Sequence, residues 1–149
     1  MTTKAAVEDF VSQRTLAIVG VSRGGKKFGN MIFRDLKSHG YKIYPIHPVA
    51  EKLEGERAYK DFKSLPEKVD GVIVVVPPAQ TEKMVREAAA AGIRRVWMQQ
   101  GAESDAAIRF CHENSIVEVH DECIMMFTST AFFHKPHRWL WKLLGKLPK

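Results

Sequence analysis

The sequence holds only two cysteines, Cys111 and Cys123, and neither stands in a C-x-x-C string or at a Cys/His ligand spacing. That excludes a disulfide framework and a zinc site, and it makes reduced thiols the expectation. No run approaches the roughly 20 apolar residues of a membrane span, and the first ten residues lack the apolar segment of a signal peptide. A cytoplasmic protein is therefore expected. There is no internal repeat and no low-complexity stretch, and the absence of a G-x-x-x-x-G-K-[ST] string removes the P-loop triphosphatases. Acid is missing from one place in particular. Residues 131–149 carry five Lys or Arg and no Asp or Glu, which leaves +1 of the net charge of +6 for residues 1–130. A basic tail, and not a basic fold, sets the charge, so no nucleic-acid groove is expected across the domain.

What is present is organised around Thr15–Asn30. A short apolar strand runs into a glycine-rich turn and then into the first turn of an amphipathic helix. Such a junction directs backbone N–H groups and the positive end of a helix dipole at one point, which suits a phosphate. Around it, helical and strand patterns alternate. A short helix over 4–14 is followed by strand one, Leu16–Val21, apolar throughout, and by a helix from Phe28 with Met31, Ile32 and Leu36 on one face, stopping at Gly40. Strand two is Tyr41–Ile46. Residues 49–69 are rich in Glu and Lys and read as a connection too polar for the core. Strand three, Gly71–Val76, is the longest apolar run and is expected to be central. A helix over 78–91, strand four at Arg95–Gln99, a helix over 104–113 and strand five at Ile116–His120 complete the series.

This alternation predicts an α/β fold: a doubly wound, Rossmann-like parallel sheet of about five strands. One domain over 1–130, including the N-terminal helix, is expected, with a basic aromatic extension over 131–149. In that extension Trp139, Leu140, Leu143, Leu144 and Leu147 share one face of an amphipathic helix over 137–147, and Arg138, Lys142 and Lys146 form a stripe. Such a helix is suited to an anionic membrane surface or an acidic partner; the alternative is packing on its own domain or on a second subunit in a homodimer. Ligands of doubly wound sheets bind beyond the carboxyl ends of the strands, where strand order reverses. That rule selects Gly20, Ser22, Lys26, Lys27, Phe28 and Gly29 after strand one. It adds Pro45, His47 and Pro48 after strand two, Val76 and Pro77 after strand three, and Gln99, Gln100 and Gly101 after strand four.

The turn reads Gly20-Val21-Ser22 where a dinucleotide fingerprint needs Gly-x-Gly, and no acid follows strand two to bind ribose hydroxyls. NAD loses its usual support, although an NAD(P)-type oxidoreductase module with an atypical turn is kept as the alternative. Arg23, Lys26 and Lys27 supply more positive charge than one pyrophosphate requires, which suits a ligand with a further phosphate, such as coenzyme A (CoA). The competing reading is that these cations are simply solvated.

Gly20-Val-Ser22, Tyr44-Pro-Ile-His-Pro48, Val76-Pro-Pro78, Trp97-Met-Gln-Gln-Gly101 and Asp121-Glu-Cys-Ile124 together resemble the small CoA-binding domain family. That family is similar to the N-terminal, CoA-binding domain of the succinyl-CoA synthetase alpha subunit, and the resemblance covers about residues 8–127. It implies that Gly20–Gly29 holds the CoA phosphates. It further implies that Pro45–Pro48 and Lys52 flank the adenosine end, and that Val76–Pro77 and Gln99–Gly101 line the rest. His47 departs from the family, which usually shows Asn there.

The synthetase reaction needs a second domain bearing a phosphohistidine and a nucleotide-grasping partner. An accessory, non-catalytic CoA or acyl-CoA binder that sequesters, senses or presents the coenzyme is therefore expected, with no catalytic residue and no metal. None of the six histidines forms a recognisable catalytic set, His120 beside Asp121 being the best placed. Cys123 follows two acids, which disfavours its thiolate. It reads as a buried small thiol or, alternatively, as one that faces the CoA thiol and exchanges with it.

Overall fold

The computed structural model describes residues 3–132. The elements are α1 (Lys4–Val11), β1 (Thr15–Val19), α2 (Phe28–Ser38), β2 (Lys42–Ile46), β3 (Lys52–Leu53), β4 (Glu56–Arg57), β5 (Gly71–Val74), α3 (Pro78–Ala90), β6 (Arg95–Gln99), α4 (Asp105–Glu113), β7 (Val117–Glu122) and α5 (Met125–Phe132). The amphipathic helix predicted over 137–147 lies outside the described residues.

Five strands form one parallel sheet in the order β2-β1-β5-β6-β7, as the alternating sequence pattern predicts. Alternate residues of β1 feed two cores. Leu16 and Ile18 join Ile32, Phe33 and Leu36 of α2, Phe10 of α1 and Phe127 of α5. Ala17 and Val19 join Val85 and Ala88 of α3 and Ala107 and Cys111 of α4. A strand buried on both faces has no polar side to show, which is why β1 and β5 read as unbroken apolar runs. Strand β5 is central, as its run implied.

Helix starts follow local chemistry. Thr3 and Ser104 cap α1 and α4 by accepting from the N–H groups of Ala6 and Ala107. Pro78 opens α3, where its missing N–H costs nothing. Helix α2 differs: Lys27 is its N-cap and makes no side-chain capping bond.

Two expectations are corrected. Residues 49–69 contribute to the core: Ala50, Leu53 and Ala58 are buried with the α1/α2/α5 layer, and Phe62 and Val69 with the other. Lys52 and Arg57 are exposed on the β3–β4 hairpin beside them, which masks the apolar positions when composition is averaged. Strand five runs further than His120, to Glu122, through an irregularity opposite Trp97–Gln99 in which Asp121 adopts a left-handed φ of 64°.

Candidate functional site

Strand order reverses between β1 and β5, and the chain there is held by two close approaches. Gly20 leaves β1 with φ +119°, and a Cβ on it would lie 2.2 Å from the Val75 carbonyl oxygen. A Cβ on Gly29 would lie 2.2 Å from the Gly20 carbonyl oxygen. Only glycine lets β5, the turn and α2 meet this closely. The N–H groups of Phe28 and Gly29 open α2, and the first residues of a helix have no intrahelical acceptor. With no side-chain cap at Lys27, they and the helix dipole suit a bound phosphate. Arg23, Lys26, Lys27 and Phe28 are exposed around this point.

The turn is braced from beneath by Asn30, which is completely buried. Its Oδ1 accepts from the Ser22 N–H at 3.0 Å and the Ser22 hydroxyl at 2.9 Å, while its Nδ2 donates to the Ser22 carbonyl at 2.9 Å and to Glu54 Oε2 at 2.6 Å. Ser22 therefore spends both of its donors on Asn30. Val21 turns its side chain into the core, 3% exposed, so that it can offer a ligand only its backbone.

Beyond β2, His47 Nδ1 accepts from the N–H groups of Val49 at 3.1 Å and Ala50 at 2.9 Å. That is the work an Asn side-chain oxygen does in a turn, and it assigns the ring proton to Nε2. Burial first, and the positive charge of Arg23 second, hold the imidazole below its ordinary pKa of 6.5. His47, Pro48 and Lys52 share a cavity of about 540 Å³ with Arg57, Tyr59 and Lys60. Pro45 is buried beneath it, and its carbonyl accepts from the Tyr59 N–H at 2.9 Å.

A depressed histidine pKa has a definite sign. The stability it contributes is complete above the unfolded value of about 6.5 and is lost as pH falls from there through the lowered folded value. His47→Asn keeps an acceptor for both N–H groups and removes the titration. In urea denaturation at pH 7.5 and 5.5, wild type is expected to lose more stability than the variant. Equal losses would show that the Nδ1 contacts do not hold the turn.

The third group lies two strands from β1. Gln99, only 2% exposed, accepts from the Ile124 N–H at 3.1 Å and so acts as a strut between β6 and the loop before α5. The Gln100 N–H donates to the Glu122 carbonyl, and Gly101 turns with φ 94°. Gln100 and Gly101 are exposed. Cys123 is half-buried in the adjoining loop, beside Glu122, whose carboxyl is raised first by burial and then by Asp121. Cys111 is fully buried, and burial pushes its thiol up to about 12. His120 Nδ1 pairs at 2.7 Å with the buried Glu118, which also meets His112 Nε2 at 3.0 Å.

The expected residues other than Lys52, which lies in β3, thus stand at or just beyond the carboxyl ends of β1, β2, β5 and β6, with the β1 and β5 exits adjacent and the β2 exit beside them. Asn30, Arg34 and Glu54, together with Arg57 and Lys60, escaped the sequence reading. An Asn within an otherwise apolar helix face was the one available signal. Among the described residues no group of three or more His, Cys, Asp or Glu is placed to hold a metal.

The chain matches the CoA binding domain family over residues 14–129 and belongs to it. It is 35% identical over 88 residues to the alpha subunit of the ADP-forming acetate–CoA ligase II of Pyrococcus furiosus, a match covering 58% of this chain and 19% of that one. The chain spans about a fifth of the length of the curated ligases it first matches. Among solved structures, it is similar to a conserved hypothetical protein from Pyrococcus furiosus, at 36% identity and a TM-score of 0.72, covering 76% of this chain and 97% of that one. A hypothetical protein from Pyrococcus horikoshii has 25% identity and a TM-score of 0.78, with coverage of 87% and 92%. A Rossmann-like CoA-binding domain, expected from five short motifs, is what the chain contains.

Proposed function

We propose that the domain holds CoA or an acyl-CoA without transforming it, as an accessory protein that sequesters, senses or presents the coenzyme. The observation that carries this reading is the start of α2: backbone donors with no side-chain cap, packed against the end of β1 by Gly20 and Gly29 and rimmed by three exposed cations. On this reading the pyrophosphate lies at Phe28–Gly29 and the adenosine lies toward His47, Pro48 and Lys52. Val76–Pro77 and Gln100–Gly101 then line the pantetheine, with the buried Gln99 supporting them from beneath. That arm is about as long as four extended residues, roughly 14 Å, and neighbouring strands are about 4.8 Å apart. From β1 it therefore reaches past β5 and β6 to the loop of Cys123. Among the described residues no helix is long and apolar enough to cross a membrane, and a cytoplasmic location is part of the same reading.

A ligand that binds only the native state raises its melting temperature. CoA and acetyl-CoA are expected to do so, and NAD, NADP and ATP to do so less at equal concentration. A shift with NAD and none with CoA would overturn the reading in favour of the oxidoreductase module. Within the site, Lys26→Ala/Lys27→Ala is expected to weaken CoA about five-fold, an amount set by exposed charges, and to weaken dephospho-CoA less. An equal loss for the two, by calorimetric titration, would place these lysines on the shared pyrophosphate, and no loss for either would leave them in solvent.

A further inference from the structure

Glu54 occupies a position that ordinary turn chemistry gives to another residue. It is the first of two residues joining β3 to β4, with φ 52°, and Gly55 follows with φ 77°. A hairpin tip with two left-handed residues favours Asn, Asp or Gly at the first, and a long side chain there is locally unfavourable. Sites that break a local rule are where a compensating role is to be sought. Here the compensation is tertiary. Glu54 Oε2 accepts from Asn30 Nδ2 at 2.6 Å and from Arg34 at 2.8 Å, and its side chain is only 13% exposed.

The two donors hold opposite ends of the same turn. Asn30 grips the N–H, hydroxyl and carbonyl of Ser22, and Arg34 donates to the Gly25 carbonyl at 3.3 Å. The turn they enclose includes Gly24 and Gly25, the most conformationally permissive pair in the loop. One carboxylate oxygen thus ties together the two arms that fix the Ser22–Gly25 turn. It does so from a hairpin whose strands border the cavity of His47 and Lys52.

We propose that Glu54 is a positioning residue of the ligand site: through Asn30 and Arg34 it locks the glycine turn in its binding conformation and couples that turn to the β3–β4 hairpin. The inference rests on the CoA reading above, and charge and positioning make opposite predictions for it. Removing a negative charge from beside a cationic phosphate turn would, by charge alone, strengthen anion binding. Loss of a positioning residue weakens it.

The test compares wild type, Glu54→Ala and Glu54→Gln by titration with CoA and by backbone ¹⁵N relaxation. Glu54→Ala is expected to bind CoA about ten-fold more weakly, with order parameters at Gly24 and Gly25 falling from near 0.85 to below about 0.6 while those of β1 and β5 stay unchanged. Glu54→Gln retains an oxygen for both donors and is expected to restore rigidity and to bind within about two-fold of wild type. Unchanged or tighter binding in Glu54→Ala, or loosening spread evenly over the domain, overturns the proposal. Wild-type protein that binds no CoA overturns instead the ligand reading on which it rests, whatever the relaxation data show.

Discussion

Gly20→Ala is expected to cost about 3 kcal/mol of stability and to abolish CoA binding at concentrations that saturate wild type. Two effects add at this position. A φ of +119° is strained for any residue with a Cβ, which costs on the order of 1–3 kcal/mol. The Cβ would also lie 2.2 Å from the Val75 carbonyl oxygen and 2.8 Å from its carbon, backbone atoms of the segment that continues β5. Those atoms yield only if the strand moves, and overpacking of this kind costs a further 1–3 kcal/mol or so. For a domain of this size the melting temperature should fall by about 10 °C. Gly29→Ala meets the Gly20 carbonyl from the other side, so it should push the start of α2 off the turn and lose affinity even where the fold survives. Gly24→Ala is the control. Nothing lies within 4 Å of its Cβ position, and its stability is expected to stay within about 0.5 kcal/mol of wild type, as for surface changes generally. Urea denaturation and CoA titration of the three variants check the ranking, and a Gly20→Ala protein as stable as Gly24→Ala would show that β1 and β5 do not approach as described.

The same pair of glycines explains why so much of the frame around the candidate site was legible. An apolar run ending in Gly20, a helix pattern beginning at Phe28, and a longer apolar run at Gly71–Val76 suffice to place β1 beside a central strand and the turn at the crevice between them. What the sequence could not show is what crosses between segments. Asn30 and Glu54 are 24 residues apart, and their contact requires the β3–β4 hairpin to fold back over α2. That hairpin was itself hidden, because Leu53 is buried next to the exposed Lys52 and the half-buried Glu54, a pattern that averages to polar. Helix α5 was missed for another reason: Met125–Phe132 sets Thr128, Ser129 and Thr130 between Met and Phe in a stretch too short and too evenly mixed to display a helical period. His47 lies between these cases. Its place at the end of β2 was visible as a substitution for Asn, but its role, an acceptor for two backbone N–H groups, is a matter of geometry.

The contact that sequence reading missed also makes the sharpest pH-dependent prediction. Asn30→Asp changes one amide nitrogen into an oxygen and alters volume hardly at all, so no cavity or overlap enters the comparison. The Oδ1 contacts to Ser22 survive. The second oxygen, however, replaces a donor that now serves two acceptors, the Ser22 carbonyl at 2.9 Å and Glu54 Oε2 at 2.6 Å. Near neutral pH two carboxylates would face each other at a completely buried position. An uncompensated buried charge of this sort costs about 3 kcal/mol or more, and it should open the Ser22 turn and weaken CoA binding with it. The pH slopes are then opposite in sign. In wild type, the Asn30 hydrogen bond first, with the Arg34 contacts adding to it against the opposing effect of burial, holds the Glu54 carboxyl below its ordinary value. Its stabilising contribution is therefore present above the unfolded value of about 4.3 and lost as pH falls through the lower folded one. In Asn30→Asp the facing carboxylates raise the pair's first protonation above that range. The folded variant then takes up a proton that the unfolded chain does not hold, and its stability rises as pH falls from neutrality toward the unfolded value. The deficit of Asn30→Asp relative to wild type should accordingly be largest at pH 7.5 and shrink by pH 5 in urea denaturation, with CoA affinity recovering in parallel. A deficit that stays constant across this range would mean that the Asn30 amide and the Glu54 carboxylate do not meet, and the bracing of the glycine turn would have to be sought elsewhere.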